Sequence, residues 1–250
     1  YAGGIYQDRR VTIHVDDGRR DMHNTTMRYD VIQASLVDTW AATAAGAYTL
    51  TENSLYTAEA FGEYMDHLTD RGVLTITRWV FDGLRLVSLA QAACAARGLD
   101  ASKHLAIVRF DRVATFLLKK TPFTESEVAR LRQIAHDLEF TILYAPGIES
   151  DPIDTAPAEM TRSRTSAADY RRLILAGDRE QFLADYPLDI RPTTDDRPFF
   201  FHTTRLANQF DTAFGKTMLF GNGLSALLTL FGISGALVLI FVVGPLLIGA

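Results

Sequence analysis

The sequence predicts an α/β protein whose sheet is parallel until a hairpin adds an antiparallel strand, with an apolar segment behind it. Three observations carry that prediction. Short β-branched runs alternate with segments of helical period. Two β-rich runs, Lys103–Phe110 and Arg112–Lys119, have only Asp111 between them, as a tight hairpin would. From Thr217 to Ala250 there is no charged residue, a run longer than the roughly 20 apolar residues that cross a bilayer core.

Taken in order, Val11–Val15 (VTIHV) is short, β-branched and bounded by charge, so it is expected to be a strand. Asp21–Arg28 is a polar, short helical link, and Tyr29–Leu36 is expected to be a buried strand. Ala41–Asn53, rich in Ala, Thr and Gly, is expected to loop over the strand ends. Thr57 caps a helix running to about Asp70, in which Ala60, Phe61, Tyr64, Met65 and Leu68 recur at helical spacing. Arg71-Gly72 is expected to close it before a strand at Val73–Trp79. Gly83–Arg97 is helical, with Gly98 as its stop. Thr124 and Glu127 match a capping box, opening an amphipathic helix. Phe140–Tyr144 is a short strand, and helices follow near Ala167–Ala176 and Asp178–Tyr186. Pro187–Phe201, with three prolines, is extended.

Two runs end on carboxylates. VTIHVDDG stops at Asp16 and Asp17 before Gly18, and YDVIQASLVDTW reaches Asp38. Ligands bind beyond the carboxyl ends of strands in open α/β sheets, so paired acidic strand ends suit a cleft for a cationic or hydroxyl-rich ligand. Turn chemistry at Asp17-Gly18 and an N-cap at Asp38 explain the same residues equally well. Trp40 and Tyr48 would either stack on a ligand there or anchor the loop. Asp195-Asp196 would either meet a cationic substrate or begin a turn before Arg197-Pro198, with the turn favoured. His14, inside the first expected strand, is read as packing, as are Phe199–Phe201.

Composition excludes some classes. The chain has 250 residues and a net charge of −5, carried wholly before the apolar run, so nucleic-acid binding has no electrostatic support. With one cysteine, Cys94, and six scattered histidines, neither an internal disulfide nor a zinc site is expected. Arg205 and Lys216 flank the apolar run on its N-terminal side, which favours a cytoplasmic location for that side by the positive-inside rule. Tyr1 in place of an initiator Met, and Ala250 at the end of an apolar run, predict an internal piece of a longer protein.

HVDDGRRDM, RYDVIQASLVD and TENSLYTAEAFGEYMDHLTDRGVLTITRW together resemble the polyamine aminopropyltransferases (spermidine synthases). The likeness is greatest to their membrane-embedded branch, and TDDRPFFFH at Thr194–His202 extends it. The resemblance implies a partial Rossmann-like, class I methyltransferase-type sheet with a terminal β-hairpin, followed by a transmembrane helix. It divides the chain into residues 1–205, the C-terminal part of such a domain, a linker at 206–217 and a membrane segment at 218–249. It implies a co-substrate, decarboxylated S-adenosylmethionine or S-adenosylmethionine itself, with no metal. Asp17, beside Gly18, would accept from the adenine amino group, Asp38 would hold the amine substrate, and Glu52 would lie beside the substrate loop. The resemblance breaks at Ser35, which stands where the family has the aspartate that helps deprotonate the attacking amine. A serine hydroxyl cannot act as a general base near neutral pH. The glycine-rich loop and the acidic ribose-binding residue of the family lie outside this chain. The implied activity is transfer of an aminopropyl or related alkyl group to an amine. A methyltransferase and a non-catalytic nucleoside- or polyamine-binding domain are the alternatives.

Overall fold

The structure is a computed structural model in which residues 3–37, 52–148, 167–175, 177–203, 205 and 223–248 are described. Alternation along Leu74–Trp79 explains how its sheet is buried. Leu74, Ile76 and Arg78 point to one side and are buried, while Thr75, Thr77 and Trp79 point to the other and are half-buried. This run belongs to β2 (Leu68–Trp79), which pairs in parallel with β1 (Tyr29–Ser35). On its other side β2 pairs antiparallel with β4 (Val113–Lys119), the return strand of the hairpin that β3 (Leu105–Phe110) begins. β5 (Thr141–Tyr144) closes the far edge against β3, giving the order β1-β2-β4-β3-β5. The hairpin turns at Asp111, whose φ of 52° is one that a short polar side chain tolerates. The chain is therefore a mixed α/β protein with a five-stranded mixed sheet.

Helices cover one face of this sheet well. The helix α2 (Ala58–His67) buries Ala60, Phe61, Tyr64 and Met65, and α3 (Gly83–Ala95) buries Leu84, Val87, Ala90 and Cys94. They meet Leu74, Ile76, Leu105, Ile107, Phe116 and Leu118 in the main core. The helix α4 (Glu125–Asp137) opens with the expected capping box: Thr124 Oγ1 accepts from Glu127 N, and Glu127 accepts from Thr124 N. It covers the opposite face only near β3 and β5, through Ala135 against Ala106, Val108 and Ile142. Over β1 that face is open to solvent.

Four expectations are corrected here. Val11–Val15 is not a strand: Ile13 and Val15 are exposed, Val15 by 96%, and a β-branched run that has no ladder partner among the described residues gains nothing from being extended. His14 accordingly does not pack in a strand and instead meets Asp21 at 2.9 Å in solvent. Tyr29–Ser35 is an edge strand, not a buried one, with Val31 exposed by 54%. Gly72 does not stop the helix, which ends at His67 with Leu68 as its cap. It lies within β2, where a Cβ would stand 2.8 Å from the Tyr29 carbonyl oxygen, so only glycine lets β1 come this close at the register shift between Tyr29 and Val31. The Ala41–Asn53 loop falls largely outside the described residues.

Beyond α5 (Ala167–Leu175) and α6 (Arg179–Asp185) the chain becomes irregular, as the prolines predict, yet it is partly buried. Arg85 makes that possible. Its guanidinium, on a residue only 2% exposed, donates to the carbonyl oxygens of Asp189, Phe199, Phe200 and His202. Burial pulls its pKa down to about 10, with Asp189 and Asp82 drawing it back up, so it stays charged at neutral pH. Phe200 and Phe201 are core residues, packed tilted and edge-on against Tyr56 and beneath the Arg78 guanidinium.

The C-terminal run forms α7 (Gly223–Val238), a π-helical turn at Leu239–Val243, and α8 (Gly244–Ile248). Pro245 explains the π turn: it lacks an N–H and crowds the carbonyl four residues back, and the Gly244 N–H reaches five back to Leu239 instead. Within this run Leu228–Leu246 is long and apolar enough to cross a membrane, and none of it is buried against the rest of the chain.

Arg85→Met is expected to destabilise the domain by about 3 kcal/mol, since each buried carbonyl left unpaired costs about 1–3 kcal/mol. Urea unfolding of the detergent-solubilised chain measures this, and a loss below about 1 kcal/mol would contradict the role given to Arg85.

Candidate functional site

Asp17 begins the site. It lies in extended backbone (φ −65°, ψ 130°) and caps α1 (Gly18–Asn24), its Oδ1 accepting from the backbone N–H groups of Arg19 at 3.0 Å and Arg20 at 3.1 Å. Among the described residues its Oδ2 takes no hydrogen bond. A carboxylate has lone pairs for about four such bonds. The capping that accounts for Asp17 structurally therefore leaves acceptor capacity for a ligand. At Gly18 a Cβ would sit 3.5 Å from Leu55 Cδ2, an ordinary contact, so packing does not demand glycine there.

Arg19 turns its side chain the other way, into the protein. Its Nε and one terminal nitrogen grip the two Glu63 oxygens of α2 at 2.8 and 3.0 Å. The same group donates to Ser54 O at 3.0 Å and Thr57 Oγ1 at 3.1 Å, and pairs with Asp195 at 3.2 and 3.4 Å. Burial alone would lower the Arg19 pKa. The bonds and charges of Glu63, with the charge of Asp195, outweigh it and raise it. Thr57 is fully used: its oxygen caps α2 by accepting from Ala60 N, accepts from Arg19, and donates to Asp195 Oδ1 at 2.6 Å.

The late segment is laced to the start of α2 by its backbone as well. Asn53 N donates to Pro198 O at 2.7 Å, Ala58 N to Thr193 O at 2.9 Å, and Thr193 Oγ1 to Tyr56 O at 2.6 Å. Asp195 N in turn donates to Glu59. Arg197 N donates to Thr194 O at 2.9 Å, so the expected turn is present. The cation that Asp195 meets is Arg19 of its own chain. Glu52 is exposed and lies next to Asn53, at the rim of this junction.

Ser35 ends β1 in register with Thr77, which is in register with Thr115 on β4. It is exposed and its Oγ accepts from Gln33 Nε2 at 3.1 Å. The chain then turns at Leu36, whose φ of 49° is strained for an apolar side chain. Such strain costs of order 1–3 kcal/mol and gathers at ligand sites. Asp38, Trp40 and Tyr48 lie outside the described residues. Among the described residues no hydrogen bond or ion pair joins Ser35 to Asp17 or Glu52. Nor does any group of three or more His, Cys, Asp and Glu have metal-binding arrangement.

Arg19 and Glu63 were not singled out from the sequence. The signal available was an arginine pair placed directly after a run of two aspartates, which reads equally well as a solvated charge cluster. No family model matches the chain, and no curated protein matches it. Fold and site together define an α/β domain with an acidic turn clamped to its late segment, followed in sequence by one apolar helix.

The cap and any ligand role of Asp17 are separable. Asp17→Asn is expected to leave stability within about 0.5 kcal/mol, because Asn caps as well as Asp, whereas Asp17→Ala is expected to cost about 1 kcal/mol. Equal losses in urea unfolding would show that the carboxylate does more for folding than cap α1.

Proposed function

We propose that this chain is part of a membrane-anchored, spermidine-synthase-like domain that binds an adenosyl-sulfonium donor, S-adenosylmethionine or its decarboxylated form, in a Rossmann-like fold. The observation that carries the proposal is convergence. HVDDGRRDM, TENSLYTAEAFGEY and TDDRPFFFH are far apart in sequence, and they meet at one guanidinium, that of Arg19. The parallel pair β1–β2 followed by an inserted hairpin also fits the closing half of a class I methyltransferase-type sheet. In this reading Asp17 Oδ2 accepts from the adenine amino group, with Gly18 beside it. Asp38 and Glu52 hold an amine, whose nitrogen would attack the carbon bonded to the sulfonium. The C–N bond forms as the C–S bond breaks, so that an aminopropyl or related alkyl group is transferred, the neutral thioether leaves and the amine gives up a proton. The apolar helix anchors the domain in a bilayer. Arg205 and Lys216, on the N-terminal side of that helix, support a cytoplasmic domain by the positive-inside rule.

Ser35 favours a second reading, binding of a nucleoside or polyamine without turnover. An exposed hydroxyl held by Gln33 supplies no base for the incoming amine. The full-length protein in detergent separates these readings. Decarboxylated S-adenosylmethionine with putrescine should give an aminopropylated product if the transfer is retained. A methylated product from S-adenosylmethionine would instead identify a methyltransferase. Calorimetric binding without either product would leave the non-catalytic reading, and no binding of either sulfonium would sink the proposal.

Asp17→Asn is expected to weaken binding of the adenosyl ligand at least about tenfold, on the order of 1.4 kcal/mol. Unchanged affinity, with the cap preserved, would remove Asp17 from the ligand site. Ser35→Asp is expected to raise any aminopropyl transfer. If the rate does not rise, the base is not the missing part.

A further inference from the structure

We infer that Arg19 is a positioning residue, coupling the Asp17–Gly18 turn to the 193–198 segment so that seating of that segment sets the aim of the Asp17 carboxylate. The two ends of one residue make the link. The Arg19 backbone N–H is one of the two donors that fix Asp17 Oδ1, and its side chain is the group that Asp195 holds. The guanidinium is a rigid planar fork. Glu63 sets its plane through two bonds, Ser54 O and Thr57 set its depth, and Asp195 closes the remaining side. Only 13% of the side chain is exposed. Thr57 has no oxygen capacity to spare, since it caps α2 and bridges Arg19 to Asp195 at once. Displacing Asp195 therefore loosens Thr57 and Arg19 together, and through the Arg19 N–H it loosens the Asp17 carboxylate. By linkage the effect must also run in reverse, with any ligand held by Asp17 tightening the 193–198 segment.

The ligand arm of this inference rests on the proposed adenosyl site, whereas the coupling itself can be read without ligand. In the full-length protein in detergent, Asp195→Ala is expected to speed hydrogen exchange at the Arg19 and Arg20 amides at least about fivefold. Exchange at Ile107 and Phe116, in the hairpin core, should stay as in the unmodified protein, which separates lost positioning from general loosening. Asp196→Ala, a neighbouring exposed carboxylate, should change neither. S-adenosylmethionine affinity measured by calorimetry should fall about fivefold with Asp195→Ala, although Asp195 is not placed against the ligand. If the unmodified protein binds no S-adenosylmethionine, the adenosyl reading fails and the exchange measurement still decides the coupling. Should Asp195→Ala not fold, Arg19→Lys keeps the charge but not the fork, and should speed exchange at the Asp195 and Arg197 amides. Unchanged exchange at the far end of the clamp, in whichever variant folds, overturns the inference.

Discussion

A chain segment without helix or ladder partners can be buried only if other groups satisfy its backbone carbonyls. Residues 187–203 are such a segment, and Arg85 is what meets the requirement. Its two terminal nitrogens serve several turned carbonyls at once, a reach that the planar guanidinium fork provides. Phe200 and Phe201 can then enter the core beside Tyr56, and the Arg78 guanidinium lies over all three rings. The late segment is thereby brought alongside the first turn of α2, where Asp195 meets Arg19 and Thr57.

Arginine is the common device at both places. At Arg85 it satisfies carbonyls, with Asp189 as a more distant counter-charge at 3.6 Å. At Arg19 it meets two carboxylates, and the bidentate grip on Glu63 gives direction as well as attraction. The consequence for the site is geometric. Asp17 is not a carboxylate waving on a loop, since it is fixed through the backbone of a residue whose side chain is held from three directions. Preorganisation of this kind lets a weakly structured turn of seven helical residues present an acceptor at a defined place.

Among the described residues β1 is an edge strand with one exposed face. Ser35 and Gln33 stand in solvent, and Val31 is exposed beside them. A general base needs both a suitable pKa and exclusion of water around the reacting atoms. The described residues supply neither at Ser35, while the acidic turn and the clamp are complete.

Local signals in the sequence determined the elements whose stability is local. The capping box at Thr124 and Glu127, the α2 cap at Thr57, the hairpin around Asp111 and the apolar run at Leu228–Leu246 all follow from residues close together in the chain. Partners far away in sequence decided the rest. Val11–Val15 has the composition of a strand but pairs with no strand among the described residues. Gly72 looks like a helix stop, but its lack of a Cβ serves a carbonyl of Tyr29. Asp17 could be read from sequence as a turn or as a ligand group, and only the fold shows one oxygen capping and the other taking no hydrogen bond among the described residues. Arg19 could be read as surface charge, because nothing within a few residues of it reveals Glu63 or Asp195. Caps and periodicity are encoded by neighbours, whereas ladders, close approaches and ion-pair clusters exist only once distant segments have been brought together.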